Sequence, residues 1–222
     1  MSIGENITSI KKNLPEGVKL VAVSKTKPDE DILAAYDVGQ RIFGENKVQD
    51  LTRKYEELPK DIEWHFIGHP QTNKVKYIAP FISLIHGVDS LKLLKMINKE
   101  AKKNARVIRC LLQFHIAEES TKFGLSTEEA REILTSDEFK ALDHIEIVGV
   151  MGMATYTDDE NQIRKEFKAL KRIFSELKNE YFSGADSFCE ISMGMSDDYP
   201  LAVEEGSTMI RVGSKIFGAR NY

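Results

Sequence analysis

The chain has 222 residues, 41% of them hydrophobic, enough for a substantial core without disulfide or metal staples. Its formal net charge is −4 and its lysines and arginines are scattered among acids, which argues against a nucleic-acid-binding or anionic-membrane-binding surface. No run approaches the ~18 consecutive apolar residues of a membrane-spanning helix, and no Gly/Ser/Pro-rich linker divides the chain, so residues 1–222 are expected to form one domain.

In chain order, the opening MSIGENITSIKKN places Ile3, Ile7, Ile10 and Leu14 on one helical face. That periodicity differs from the continuous apolar run of a secretory signal, so the protein is expected to be cytoplasmic. KLVAVSK (19–25) reads as the first strand and 28–39 as the first helix after it, opened by Pro28 and ended by Gly39. RIFGE (41–45) is the second strand, followed by an amphipathic segment, 46–58; WHFIG (64–68) is the third, followed by a helix from Asn73 to before Pro80. SLIHGV (83–88) is the fourth, with a helix at 90–104 burying Leu91, Leu94, Ile97 and Ala101. RVIRCLLQFHI (106–116) is a long fifth strand, and Ser126 and Glu129 form a capping box for a helix at 126–134. HIEIVGVMGMA (144–154) precedes the longest helix, 158–182; FCEISMG (188–194) precedes a short one, 196–206; TMIRVG (208–213) is the eighth strand.

Most of these strands are buried-type apolar runs, as in parallel sheets covered by helices. Eight βα units in ~200–250 residues predict a single (β/α)8 TIM barrel with an extra N-terminal helix. An open doubly wound sheet is the competing fold, but SKTKPD after the first strand lacks its GxGxxG fingerprint.

In such a barrel the residues following each strand surround one mouth. They are Lys25; Glu45 and Asn46; His69, Gln71 and Asn73; Lys122; Met153 and Tyr156; Ser196; and Gly213 and Ser214. Lys25, an amine partly withdrawn from water, is a candidate nucleophile toward a carbonyl; the alternative is a lysine snorkelling from a strand end. Gly194 with Ser196, and Gly213 with Ser214, repeat a strand-to-helix pattern that offers N–H groups and hydroxyls to a phosphate. Ser196 equally fits a plain helix N-cap. Arg211, in mid-strand, requires a partner: either a strand carboxylate such as Glu190 or a heteroaromatic nitrogen, which a donor-only guanidinium would keep unprotonated. Cys110 and Cys189 read as buried, unbridged thiols. His65 and His69 have zinc-site spacing, but WHFIGHP is strand and turn, so no metal site is expected.

LVAVSKTKP (20–28), FGENKVQD (43–50), WHFIGHPQTNK (64–74), STKFG (120–124) and residues 193–222 together resemble the pyridoxal 5′-phosphate (PLP) homeostasis family of the YggS/PROSC type. The resemblance covers residue 18 to the C-terminus. It implies a barrel like that of bacterial alanine racemase, with PLP as an internal aldimine on Lys25. It further implies Asn46 beside the ring, Ser196, Gly213 and Ser214 on the phosphate, Arg211 facing the pyridine nitrogen and Lys122 near the site. The family also implies a monomer, with apo-PLP enzymes as transient acceptors. Pro70 departs from the Leu of many members, and GVMGMATYTDD (149–159) departs from their commoner pattern.

Three functions fit a reactive Lys25 at such a mouth: a PLP carrier, a PLP-dependent racemase and a cofactor-free class I aldolase. Alanine racemase adds a β-rich domain and a second acid/base from its dimer partner, whereas this sequence ends soon after its eighth strand and offers no second proton-transfer group. A non-enzymatic carrier is therefore the expectation.

Overall fold

The structure, a computed structural model, describes residues 2–118 and 123–219. Eight parallel strands close into a barrel in sequence order. They are β1 (Lys19–Val23), β2 (Ile42–Glu45), β3 (Glu63–Phe66), β4 (Leu84–Val88), β5 (Ile108–Gln113), β6 (Ile145–Met151), β7 (Glu190–Ser192) and β8 (Met209–Val212). Pairing of β1 with β8, from Lys19 opposite Met209 to Ala22 opposite Val212, completes the ring. The expected (β/α)8 architecture is present, and the open sheet is excluded.

Helices cover the outside: α1 (Ile3–Lys12), α2 (Asp29–Asp37), α3 (Val48–Glu57), α4 (Val75–Ile78), α5 (Leu91–Lys103), α6 (Thr127–Thr135), α7 (Asp137–Lys140), α8 (Glu160–Tyr181), α9 (Tyr199–Glu204) and α10 (Ser214–Phe217). The extra α1 begins with a reciprocal Ser2–Glu5 capping box, buries Ile7 and Ile10, and packs against α2 and α10. The box at Ser126 and Glu129 forms as the sequence predicts. No helix among the described residues is long and apolar enough to cross a membrane.

Two apolar layers hold the barrel. The larger lies between strands and helices, and a smaller one inside the barrel gathers Val21, Leu84, Leu111, Val148, Met151 and Met209. Strand β6 approaches β7 so closely at Gly149 (φ +154°) that a Cβ there would stand 1.8 Å from the Glu190 carbonyl oxygen. Only glycine permits that pairing.

Several boundaries differ from expectation. The first strand stops at Val23 rather than residue 25, the fifth contracts to 108–113, and Pro28 caps α2 instead of starting it. Cys110 is buried and free, as expected, but Cys189 is free and exposed, facing away from the core between the buried Phe188 and Glu190. Glu190 is not the partner of Arg211: as the first residue of β7 it pairs with Lys19 at the N-terminal end of the barrel, with Arg109 4.0 Å away.

Candidate functional site

After β1 the chain makes a tight turn. The Lys27 N–H donates to the Ser24 carbonyl at 3.0 Å, so Lys25 and Thr26 are the central residues of a four-residue β-turn. Thr26 has φ +66°, a conformation usually left to Gly or Asn. Lys25, half-buried, lines a cavity of about 280 Å³ at the carboxyl ends of the strands, together with Ser196, Arg211, Gly213 and Ser214. Five of the six candidate cofactor contacts thus border one pocket, close to the lower end of the ~300–1,000 Å³ typical of small-molecule sites. Met153 and Tyr156 line it too, as do Val23, Ile67 and Met195. These last three went unread in the sequence because apolar residues at or just past strand ends look like ordinary core.

The far wall is built from the loops after β7 and β8. Gly194 (φ +95°) permits the first: a Cβ there would stand 2.6 Å from the Ala202 Cβ. Ser196 does not cap a helix, contrary to the simpler sequence reading. The cap residue of α9 is Asp198, and its Oδ1 accepts the Met195 N–H at 2.5 Å. Pro200, tolerated only in a first turn, fits a helix start at Tyr199. The Ser196 hydroxyl instead accepts the Gly213 N–H at 3.2 Å and ties the two loops together.

Arg211 is buried within the barrel and donates through Nη1 to Ser192 Oγ at 2.5 Å and through Nη2 to the Gly152 carbonyl at 3.0 Å. Burial lowers its pKa to about 10, offset in part by Asp198, so it remains cationic at neutral pH. Behind it, Ser192 Oγ lies 3.0 Å from His86 Nδ1, and His86 Nε2 lies 3.1 Å from His65 Nδ1. Arg211 only donates, so the Ser192 oxygen accepts from it; a hydroxyl can accept twice, and the Ser192 proton meets an acceptor among the described contacts when it points to His86 Nδ1. His86 is then protonated at Nε2 and donates to His65. Burial pushes the His65 pKa down to about 3 and His86 well below its ordinary value. Both rings are neutral. His65 lies on β3 and His69 beyond it, so the two share no helical face.

Asn46 is exposed and lines an adjoining cleft of about 310 Å³ with Gln49, His69, Gln71 and Lys74. The structure does not bring it into the Lys25 cavity. Pro70 is buried beside the wider cleft bordered by His69 and Asn73. Glu45 was expected at the mouth but is fully buried and bonded to Lys54 of α3. The alternation of β2 makes this legible in retrospect: if Gly44 faces the interior, Glu45 faces the helix layer. Lys122 lies outside the described residues.

A parallel eight-stranded barrel with a lysine just beyond β1 and a hydroxyl-bordered pocket beneath β7 and β8 defines a barrel of the alanine racemase N-terminal type. Residues 1–221 match the family described as "Alanine racemase, N-terminal domain". The chain is 38% identical to the pyridoxal phosphate homeostasis protein of Aquifex aeolicus over 205 residues, covering 92% of this chain and 88% of that one. Solved structures of PipY from Synechococcus elongatus superpose with TM-scores of 0.91 without PLP and 0.88 with PLP bound, at 35% and 34% identity, covering 98% of this chain and all of PipY. Clostridium difficile alanine racemase, at 16% identity, shares the fold (TM-score 0.80) over 98% of this chain and 59% of its own. The chain belongs to the pyridoxal phosphate homeostasis protein family.

Proposed function

We propose that this protein binds PLP and buffers or delivers it, with Lys25 as the covalent tether. The observation that carries the reading is the meeting of Lys25, Arg211 and the Ser196–Gly213–Ser214 wall around one ligand-sized cavity. The donor set fits the cofactor. Lys25 supplies an amine for the aldehyde, the hydroxyls of Ser196 and Ser214 suit phosphate oxygens, and Arg211 is a fixed donor for the ring nitrogen.

Bound PLP would supply an aldehyde carbon that the Lys25 amine would hold covalently, both amine protons leaving with the aldehyde oxygen as water. Bound PLP supplies an electron-accepting ring, and an unprotonated ring is a weaker electron sink. A donor-only Arg211 would keep the ring unprotonated and weaken that sink, an arrangement that racemases of this fold share. The nearly full-length relatives carry the homeostasis name, while the racemase likeness is one of fold alone. These observations favour a carrier over a racemase, and the phosphate-suited wall disfavours a cofactor-free aldolase.

In this reading the 222 residues work as one cytoplasmic, monomeric domain whose acceptors are apo-PLP enzymes. The test mixes PLP-loaded protein with an apo-PLP enzyme and, separately, with D- and L-amino acids. Activation of the apo-enzyme without amino-acid turnover supports the carrier; Lys25-dependent racemisation favours the enzyme.

A further inference from the structure

Behind Lys25 lies an ion pair that the cavity does not touch. Lys54 of α3 and Glu45 at the end of β2 are both buried, with Nζ 2.8 Å from Oε1. The same ammonium donates to the Ser24 carbonyl at 2.9 Å, and the Ser24 hydroxyl donates to Glu45 Oε1 at 2.6 Å. Ser24 N–H is held as well, by the Gly44 carbonyl at 3.0 Å. Every polar group of the residue immediately before Lys25 is therefore fixed.

We propose that the Glu45–Lys54 pair positions Lys25, gripping Ser24 from the helix side and holding the strained turn that carries the amine into the cavity. This rests on Lys25 being the PLP tether.

A buried ion pair is a poor source of stability, since its desolvation offsets its attraction and an apolar pair often serves as well. Burial raises the Glu45 pKa, its attraction to Lys54 opposing the shift, and its Oε2 has no hydrogen-bond partner. An arrangement with these costs calls for a geometric reason, and the turn supplies one. Thr26 is β-branched at φ +66°, a conformation that persists only where its surroundings enforce it. The Ser24 carbonyl that receives Lys54 is also the acceptor that closes this turn. Release of that carbonyl would let Thr26 relax and swing Lys25 away from the site.

The test compares wild type, the charge-free double variant Lys54→Met/Glu45→Gln, and that variant with Thr26→Gly added. Glycine occupies φ > 0 without strain and so removes the need for the grip. Each purified protein is titrated with PLP, followed by visible absorbance and circular dichroism of the bound chromophore. Its melting midpoint is measured in parallel. The double variant is expected to be folded yet to bind PLP about tenfold more weakly, roughly 1.4 kcal/mol, with an altered dichroic band. Addition of Thr26→Gly should restore most of the affinity and the band. Wild-type affinity and dichroism in the double variant would overturn the inference, as would a loss that Thr26→Gly leaves unrepaired, which marks a general packing role. If the double variant does not fold, Ser24→Ala removes one grip alone and should weaken binding about threefold; an unchanged titration overturns the proposal. Failure of wild type to fix PLP on Lys25 would instead count against the functional reading itself.

Discussion

Ser196 Oγ accepts the Gly213 N–H at 3.2 Å, so a single hydroxyl joins the loop after β7 to the loop after β8. Both residues border the Lys25 cavity. Ser196→Ala removes the tie and a phosphate-suited hydroxyl together. PLP affinity should fall about 10- to 100-fold, given that hydrogen bonds to charged groups contribute ~1.5–3 kcal/mol. Equilibrium titration of the apoprotein measures this, and an unchanged dissociation constant would remove Ser196 from the site.

Gly194 tests the same wall through the backbone. At φ +95°, with the Ala202 Cβ 2.6 Å from where its own Cβ would lie, Gly194→Ala combines backbone strain with a clash. A loss of roughly 2–4 kcal/mol in unfolding free energy is expected, together with weakened PLP binding. Chemical denaturation and PLP titration of the variant check both effects.

The Arg211–Ser192–His86–His65 chain predicts a pH dependence. His65 and His86 are neutral in the fold, whereas in the unfolded chain they take up protons below about 6.5. Between that pH and about 3, the unfolded state binds more protons, so stability falls as pH falls. Each histidine contributes a slope of up to ~1.4 kcal/mol per pH unit in this window. Denaturant titrations between pH 7.5 and pH 5 should show the loss, and nitrogen NMR should find both rings protonated at Nε2 alone. Protonation of His86 at Nδ1 would contradict the derived direction of the chain.

The cysteines separate by exposure. Cys189 should react with a thiol reagent in the native protein. Cys110, buried and with its thiol pKa raised by burial, should react only on unfolding. Mass spectrometry after labelling in native and denaturing buffer counts the two, and rapid native labelling of Cys110 would contradict its placement.

The barrel was legible because eight buried strands alternate with helical periods, and the mouth was legible because Lys25, Ser196, Gly213 and Ser214 each lie just past a strand. What remained hidden depended on facing. Parallel strands are buried on both sides, so composition does not say that Glu45 turns toward α3 or that Cys189 lies outside its strand. Ser196 could be read either as a cap or as a phosphate contact because three hydrogen-bonding residues, Ser196, Asp197 and Asp198, crowd the start of α9, and tertiary contacts select the last as the cap. Likewise, Arg211 announced its need for a partner, but Ser192 and Gly152 come from other strands or the loops after them, and their proximity follows only from barrel closure.

The most direct measurement loads wild type and Lys25→Ala with PLP, records visible spectra, reduces both with borohydride and maps the labelled peptide by mass spectrometry. The wild type should be yellow and carry one pyridoxyl group on Lys25, and Lys25→Ala should lose both the band and the label. An equal band in Lys25→Ala, or a wild-type label confined to another lysine, would contradict the tether.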